Sequence, residues 1–271
     1  MKIFKNKEQL KREIGNKKSI SFIPTMGSLH KGHISLIKKA KKYKNEIIVS
    51  IYVNPKQFNE NEDFKKYPRN LANDLKTLRK LKVNYLYLPT YKDLFKFKPS
   101  HRIYLHKFSK ILCGKYRKYH FKGVVDVINR FLEIIGPKYL FLGLKDFQQL
   151  TLIKKHILKN KIYTKIISCK TVRESNGVAL SSRNFNLNKK QMKIAISVYK
   201  YLVKIKRKTK KNIKFFNSSL LKKDLIKLGV NKIDYLEIIN LKDLRRPKKM
   251  NESFNIFIAY YLNNVRLIDN I

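Results

Sequence analysis

The sequence predicts an α/β fold: a Rossmann-like, doubly wound parallel sheet followed by a smaller C-terminal α+β domain. Three observations carry that expectation. Short apolar, β-branched runs alternate with stretches of helical periodicity through the first two thirds of the chain. The first such run ends in a glycine-containing turn that opens straight into a helix pattern, the unit α/β folds use to hold phosphates. After Thr171 the style changes to a polar, small-residue-rich segment and then to helices followed by strands. A boundary near residue 172 follows, with domains spanning 1–171 and 172–271.

In chain order, Ile20, Phe22 and Ile23 read as a buried strand, Pro24 to Gly27 as a turn, and Ile34, Leu36 and Ile37 as one helical face. Residues 46–54 suit a central parallel strand. Leu71, Leu75, Leu78 and Leu81 mark a helical face, and a strand follows over 84–90. Residues 91–120 read as irregular and carry His101, His106 and His120. A helix over 124–135 leads into a strand over 139–143, Asp146 caps a helix running to about 158, and 162–168 forms the next strand. The segment VRESNGVALSSRN reads as a hinge or active loop to which Gly177 lends freedom. Beyond it, helices are expected near 189–207 and 217–228, with strands near 233–239, 254–260 and 264–268.

At 271 residues, 43% of them apolar and 12% aromatic, the chain has ample core for one large or two modest domains. A formal charge of +45 first reads as a nucleic-acid footprint. The lysines, however, are spread along the whole chain among abundant Asn, Ile, Tyr and Phe, all encoded by A/T-rich codons, which argues for genome bias over a nucleic-acid partner. The run beginning at Lys204 is read as a solvated helix end and linker. The field still favours acidic small ligands such as ATP and carboxylates. Cys113 and Cys169 lack any CxxC or disulfide-framework spacing and are expected reduced. With no apolar run of membrane-spanning length and no signal-peptide pattern, a soluble, cytoplasmic protein is expected.

Chemistry concentrates in Met26, Gly27, Ser28, Leu29, His30, Lys31, Gly32 and His33. Backbone N–H groups and a helix N-terminus are expected to converge there, and two histidines three apart add donors for charge developing on a phosphate. This HxGH pattern after a strand points to nucleotidyl transfer. Parallel sheets bind ligands at the carboxyl ends of their strands. Three further groups fall at such ends: Asn54 to Phe58, Gly143-Leu144-Lys145-Asp146 with Gln148 and Gln149, and Val172 to Glu174; Ser181-Ser182-Arg183-Asn184 follows soon after. A metal pair at His30 and His33 is disfavoured because no third ligand lies near in sequence. His101 and His106 are read as loop or packing residues, and Tyr67 as either a pocket wall or a packed ring.

Taken together, PTMGSLHKGH, SIYVNPKQF, EDFKKYPR, HFKGV, GLKDFQQL, TVRESNGVALSSRN and VRLIDNI resemble the pantothenate synthetase family across the whole chain. The resemblance implies an ATP-dependent condensation of (R)-pantoate with β-alanine to pantothenate, AMP and pyrophosphate through a pantoyl adenylate. It implies His33, His30, Lys145 and Arg183 as catalytic groups, with His33 as proton donor, and Leu180 to Arg183 as a mobile phosphate loop. Val172 would touch the adenine side, Gln57 would contact pantoate and β-alanine, and Gln149 would contact pantoate. ATP is expected as substrate, with Mg2+ held mainly by the triphosphate, no protein metal site, and a homodimer. Four positions depart from the family pattern: Leu144 and Asn73 replace polar or acidic residues, Leu180 replaces Met, and Asn176 stands where Asp is common. Another HxGH adenylyltransferase, or a basic nucleic-acid-binding protein on a degenerate fold, remain the alternatives.

Overall fold

The computed structural model describes residues 1–15, 19–59, 61–249 and 252–271, with only the backbone of 61 and 62. The chain divides into two compact units, Met1–Val172 and Arg173–Ile271.

The first unit is a parallel sheet with helices on both faces. Its strands are β1 (Lys2–Phe4), β2 (Ile20–Thr25), β3 (Glu46–Ile51), β4 (Tyr85–Tyr87), β5 (Tyr139–Gly143) and β6 (Lys165–Cys169). They lie in the order β1-β4-β3-β2-β5-β6, with every pairing parallel. The helices are α1 (Lys7–Ile14), α2 (Lys31–Lys41), α3 (Asn61–Lys66), α4 (Leu71–Lys80), α5 (Tyr91–Phe95), α6 (Cys113–Tyr116), α7 (His120–Ile135) and α8 (Phe147–Lys159).

Successive side chains of a strand face opposite ways, so a sheet covered on both faces needs apolar residues at every position. That is why these strands read as continuous apolar runs. Phe22, Ile48 and Leu140 join one core with Leu10 of α1, Phe131 of α7 and Ile153 of α8. Their neighbours Ile23, Val49 and Phe141 join the opposite core with Ile37 of α2 and Leu78 of α4. From β2 the chain builds outward to β3 and β4 on one side and to β5 and β6 on the other. The order reverses between β2 and β5, and a crevice forms at the carboxyl ends of such a pair.

Several elements differ from the sequence expectation. The edge strand β1 and helix α1 carry little apolar signal, since Lys2 and Ile3 are exposed. Residues 91–120 are ordered rather than irregular, holding α5 and α6. Arg130 of α7 braces part of that stretch by donating to the carbonyls of Leu94 and Phe97. Helix α7 starts at His120, four residues before the expected 124, and β6 starts at Lys165 rather than 162.

The second unit holds α9 (Lys189–Lys211), α10 (Ser218–Lys227) and an antiparallel meander of β7 (Lys232–Asn240), β8 (Phe254–Leu262) and β9 (Val265–Asn270). Asn188 and Gln191 form a reciprocal capping box that starts α9. Val198, Leu202 and Leu225 pack on Leu236, Ile256 and Ile258. The basic run from Lys204 is not a linker: it stays helical to Lys211, with Ile205 and Thr209 buried beneath its lysines. Both cysteines are buried, and neither is joined in a disulfide. Among the described residues no helix is long and apolar enough to cross a membrane.

Candidate active site

The turn after β2 is built by a buried carboxylate. Gly27 and Ser28 take positive φ angles of 79° and 52°. A Cβ on Gly27 would meet Asp74 Oδ2 and Ile51 Cγ2 at 3.0 Å, so glycine is required by both conformation and space. Asp74, 1% exposed, accepts the N–H groups of Ser28 at 2.8 Å and Leu29 at 2.7 Å. Burial raises its carboxyl above the ordinary range, against the lowering effect of these two bonds. Thr25 Oγ1 accepts the Gly27 N–H. The N–H groups of Gly27, Ser28 and Leu29 are therefore bonded inside the turn.

The histidines supply donors instead. His30 is the N-cap of α2, and its Nδ1 accepts the Gly32 N–H at 3.1 Å. The His30 N–H donates to His33 Nδ1 at 3.3 Å. Both rings thus cap the helix through Nδ1, and their centroids stand 4.1 Å apart. Burial, reinforced by the nearby Lys145 cation, pushes His30 down to about 4. Burial, then His30 and Lys145, pushes His33 down to about 3. At neutral pH each ring is uncharged with Nδ1 accepting, so each carries its proton on Nε2 as a hydrogen-bond donor.

Lys145 follows β5 on the other side of the strand-order reversal, and its positive charge contributes to lowering both histidines. Its ammonium lies 3.7 Å from Asp146 Oδ1. Asp146 occupies the N-cap position of α8 without a side-chain capping bond, contrary to expectation. Leu144, the departure from a polar residue, packs against the core that contains Phe22. Lys31 is exposed at the first turn of α2.

Gln57 sits in a short 3-10 turn, Pro55–Gln57, after β3, with Asn54 as its cap. Its amide Nε2 donates to Met26 Sδ at 2.8 Å, and its Oε1 accepts from Asn54 Nδ2 at 3.4 Å. The turn lies against α7 so closely that a Cβ on Gly123 would come within 2.2 Å of the Lys56 carbonyl oxygen. Of the paired glutamines on α8, Gln149 is half-buried, whereas Gln148 is buried and bonds only inward, to Cys113 N and the carbonyls of Phe108 and Ile111. Asn73 is exposed next to Asp74. Tyr67 is a buried ring packed edge-on to Phe58. His106 caps a short turn through Phe108 N, and His101 meets Ser100. Fully buried His156 joins Tyr104 N to Asn129 Oδ1, a structural role that leaves no periodic signal in sequence.

Val172 closes the first unit, and Leu180, Ser181, Ser182 and Arg183 belong to the second. There Arg173 bridges to Ala179, and its guanidinium takes Asp269 in a two-pronged ion pair at 2.6 and 2.9 Å. Gly177 does not confer freedom. At φ +94° it lies on the Tyr199 ring, where a Cβ would stand 1.9 Å from a ring carbon. Asn176 Oδ1 accepts the Val178 N–H, a role open equally to the oxygen of an Asp. Leu180 is buried, and Ser181 Oγ accepts the Arg183 N–H to cap the turn Ser182–Asn186.

The sequence model of the family described as pantoate-beta-alanine ligase matches residues 2–271. A pantothenate synthetase of Endomicrobium trichonymphae is 40% identical over 276 residues, covering 100% of this chain and 97% of the relative. One of Thermosipho africanus is 36% identical, covering 100% and 99%. The crystal structure of the pantoate-beta-alanine ligase of Francisella tularensis, complexed with beta-gamma ATP and β-alanine, superposes with a TM-score of 0.85 at 38% identity, over 100% of this chain and 97% of that one. The Thermus thermophilus pantothenate synthetase gives 0.88 at 27% identity, over 100% and 99%. With its sheet order, its histidine-capped turn and these full-length matches in agreement, the chain belongs to the pantoate–β-alanine ligase family.

Proposed function

We propose that this ligase joins (R)-pantoate to β-alanine in two steps at the crevice between β2 and β5. The pantoate carboxylate oxygen attacks the α-phosphorus of ATP, and the bond to pyrophosphate breaks. The β-alanine amine then attacks the acyl carbon of pantoyl adenylate, AMP leaves with the electron pair of the C–O bond, and the amine loses a proton. The observation that carries this reading is the pair of neutral imidazoles, each with an Nε2–H to offer, beside Lys145. Phosphoryl chemistry of this kind is served by positioned donors and cations more than by covalent chemistry. His33 and His30 then act as hydrogen-bond donors to the α-phosphate and the leaving group, rather than as imidazolium acids. Lys145 compensates negative charge.

Met26, Gly27, Ser28, Leu29, Lys31, Gly32, Gly143, Leu144, Asp146 and Val172 complete the ATP site of the first unit in this reading. Leu180, Ser181, Ser182 and Arg183 form the phosphate loop, carried by the second unit. Gln57 grips pantoate and contacts β-alanine, and Gln149 contacts pantoate, since neutral amides can bond its hydroxyls. ATP and β-alanine are the ligands of the Francisella ligase structure, which supports the same substrates here.

For Mg2+, the donor set fits an ion carried by the nucleotide. Asp74 spends its two oxygens on backbone N–H groups, and Asp146 lies 3.7 Å from the Lys145 ammonium. Asp146 is the carboxylate that would reach the ion, whose chemistry is to neutralise polyphosphate charge. A homodimer in the cytoplasm completes the reading. The test is pyrophosphate release from ATP, Mg2+ and (R)-pantoate. A pantoate-dependent burst that turns over only with β-alanine is expected, whereas folded protein giving no pantoate-dependent release refutes the reading.

A further inference from the structure

We infer that Arg117 and His120 are positioning residues of this site, holding the main-chain carbonyl of Gln57 and thereby setting the direction of its side-chain amide. The inference rests on the reading of Gln57 as a group that grips pantoate.

The geometry assigns the protons. Arg117 Nη1 lies 3.1 Å from His120 Nε2. A guanidinium can only donate, so Nε2 accepts and the ring proton sits on Nδ1. Nδ1 lies 2.6 Å from the Gln57 carbonyl oxygen and donates to it. Arg117 Nη2 donates to the same oxygen at 3.1 Å. Two donors from one short segment therefore close a triangle on a single carbonyl, that of the same residue whose side-chain amide meets Met26 and Asn54.

The segment that delivers them is held in an unfavourable backbone conformation at both ends. Leu112 takes φ 49°, ψ −126°, and Tyr119 takes φ 61°. Residues with a Cβ avoid these regions unless their surroundings impose them. The surroundings do so here. Gln148 ties down Cys113 N and the carbonyls of Phe108 and Ile111. Gly114 presses on Ser109 so tightly that a Cβ would fall 1.7 Å from its carbonyl oxygen. Asn59 Nδ2 holds the Lys118 carbonyl at 2.9 Å. One turn into α7, Gly123 lies against Lys56 from the other side. The loop thus stores strain at two non-glycine residues to present a guanidinium and an imidazole to the Gln57 turn. Gln57 touches the histidine-containing turn through Met26 Sδ, but Asp74 braces that turn at Ser28 and Leu29, and those bonds remain when Gln57 is loosened.

The experiment compares KM for (R)-pantoate and for ATP in the full-length chain and in Gln57→Ala, His120→Phe, His120→Asn and Arg117→Met. Gln57→Ala and His120→Phe are expected to raise the pantoate KM at least tenfold while the ATP KM stays within twofold. Arg117→Met raises it by a smaller factor. His120→Asn, whose amide N–H reaches the place of Nδ1–H, returns the pantoate KM to within about threefold of the parent. If Gln57→Ala raises the pantoate KM and His120→Phe does not, the positioning role is refuted while the reading of Gln57 stands. If Gln57→Ala has no effect, both fall. If ATP and pantoate KM rise in step, with no rescue by Asn, the pair is a general structural element and the inference is overturned. Should His120→Phe fail to fold, Arg117→Met and His120→Asn decide by the same criterion.

Discussion

Replacing Asp74 by Asn tests whether the nucleotide turn is organised from beneath. The carboxylate accepts two N–H groups at 2.8 and 2.7 Å while almost wholly buried. Bonds to a charged acceptor contribute about 1.5–3 kcal/mol each. An Asn keeps one of them as a neutral bond of about 1 kcal/mol and turns its own NH2 toward the other N–H. The gross loss is then about 3 kcal/mol, reduced because a buried charge, made costly enough to raise its pKa, is removed. A net loss of about 2 kcal/mol corresponds to a Tm drop of roughly 4–8 °C for a unit of this size. Thermal unfolding by circular dichroism and pantoate-dependent ATP–pyrophosphate exchange over a range of Mg2+ concentrations should both report it. The expected result is a lower Tm and a lower exchange rate that added Mg2+ does not restore. An unchanged Tm, with activity regained at high Mg2+, would mean that Asp74 serves a metal and that its inward bonds are incidental.

Three other outcomes follow from the same geometry. Gly177→Ala should cost the second unit about 3 kcal/mol, combining a left-handed backbone with a Cβ driven into the Tyr199 ring. In a Tyr199→Ala background only the backbone part, about 1–2 kcal/mol, should remain, as a denaturant double-mutant cycle would show; equal costs in both backgrounds exclude the clash. Gly123→Ala should push the Pro55–Gln57 turn away from α7 and raise the pantoate KM at least fivefold; a structure with an unmoved turn and a normal KM contradicts this packing. Acid should weaken the first unit through His30, His33 and His156, whose pKa values fall from 6.5 to about 4, 3 and 4. Because their folded pKa values are depressed, the unfolded chain binds more protons between those values and 6.5, so stability falls as pH drops through that window. Asp74, raised by burial, works in the opposite direction. Denaturation midpoints that stay level from pH 7 to 4.5, once Asp74 is replaced by Asn, would refute the neutral, Nδ1-accepting histidines.

Much of the site was legible because its parts are local. A strand end, a glycine turn and a helix start are contiguous in PTMGSLHKGH, and Lys145 directly follows the apolar strand run 139–143. What could not be read depends on partners far away in sequence. Asp74 carries no local signal of its role, because its oxygens face N–H groups 45 and 46 residues earlier. Gln148 and Gln149 are adjacent and chemically identical, and only the twist of α8 sends one inward to the Cys113 loop. Gly177 looked like a source of flexibility because nothing local shows the Tyr199 ring against it.

The sequence by itself determined the alternation of strands and helices, the change of style after Thr171 and the residue types that phosphate chemistry requires. Those properties are written in periodicity and in short contiguous motifs, where each residue's neighbours in the chain are also its neighbours in space. The tertiary structure alone decided the protonation of His30 and His33, the inward duty of Asp74 and the grip of Arg117 and His120 on Gln57. Each depends on which donor meets which acceptor across the fold. Burial then sets the charge those groups can carry.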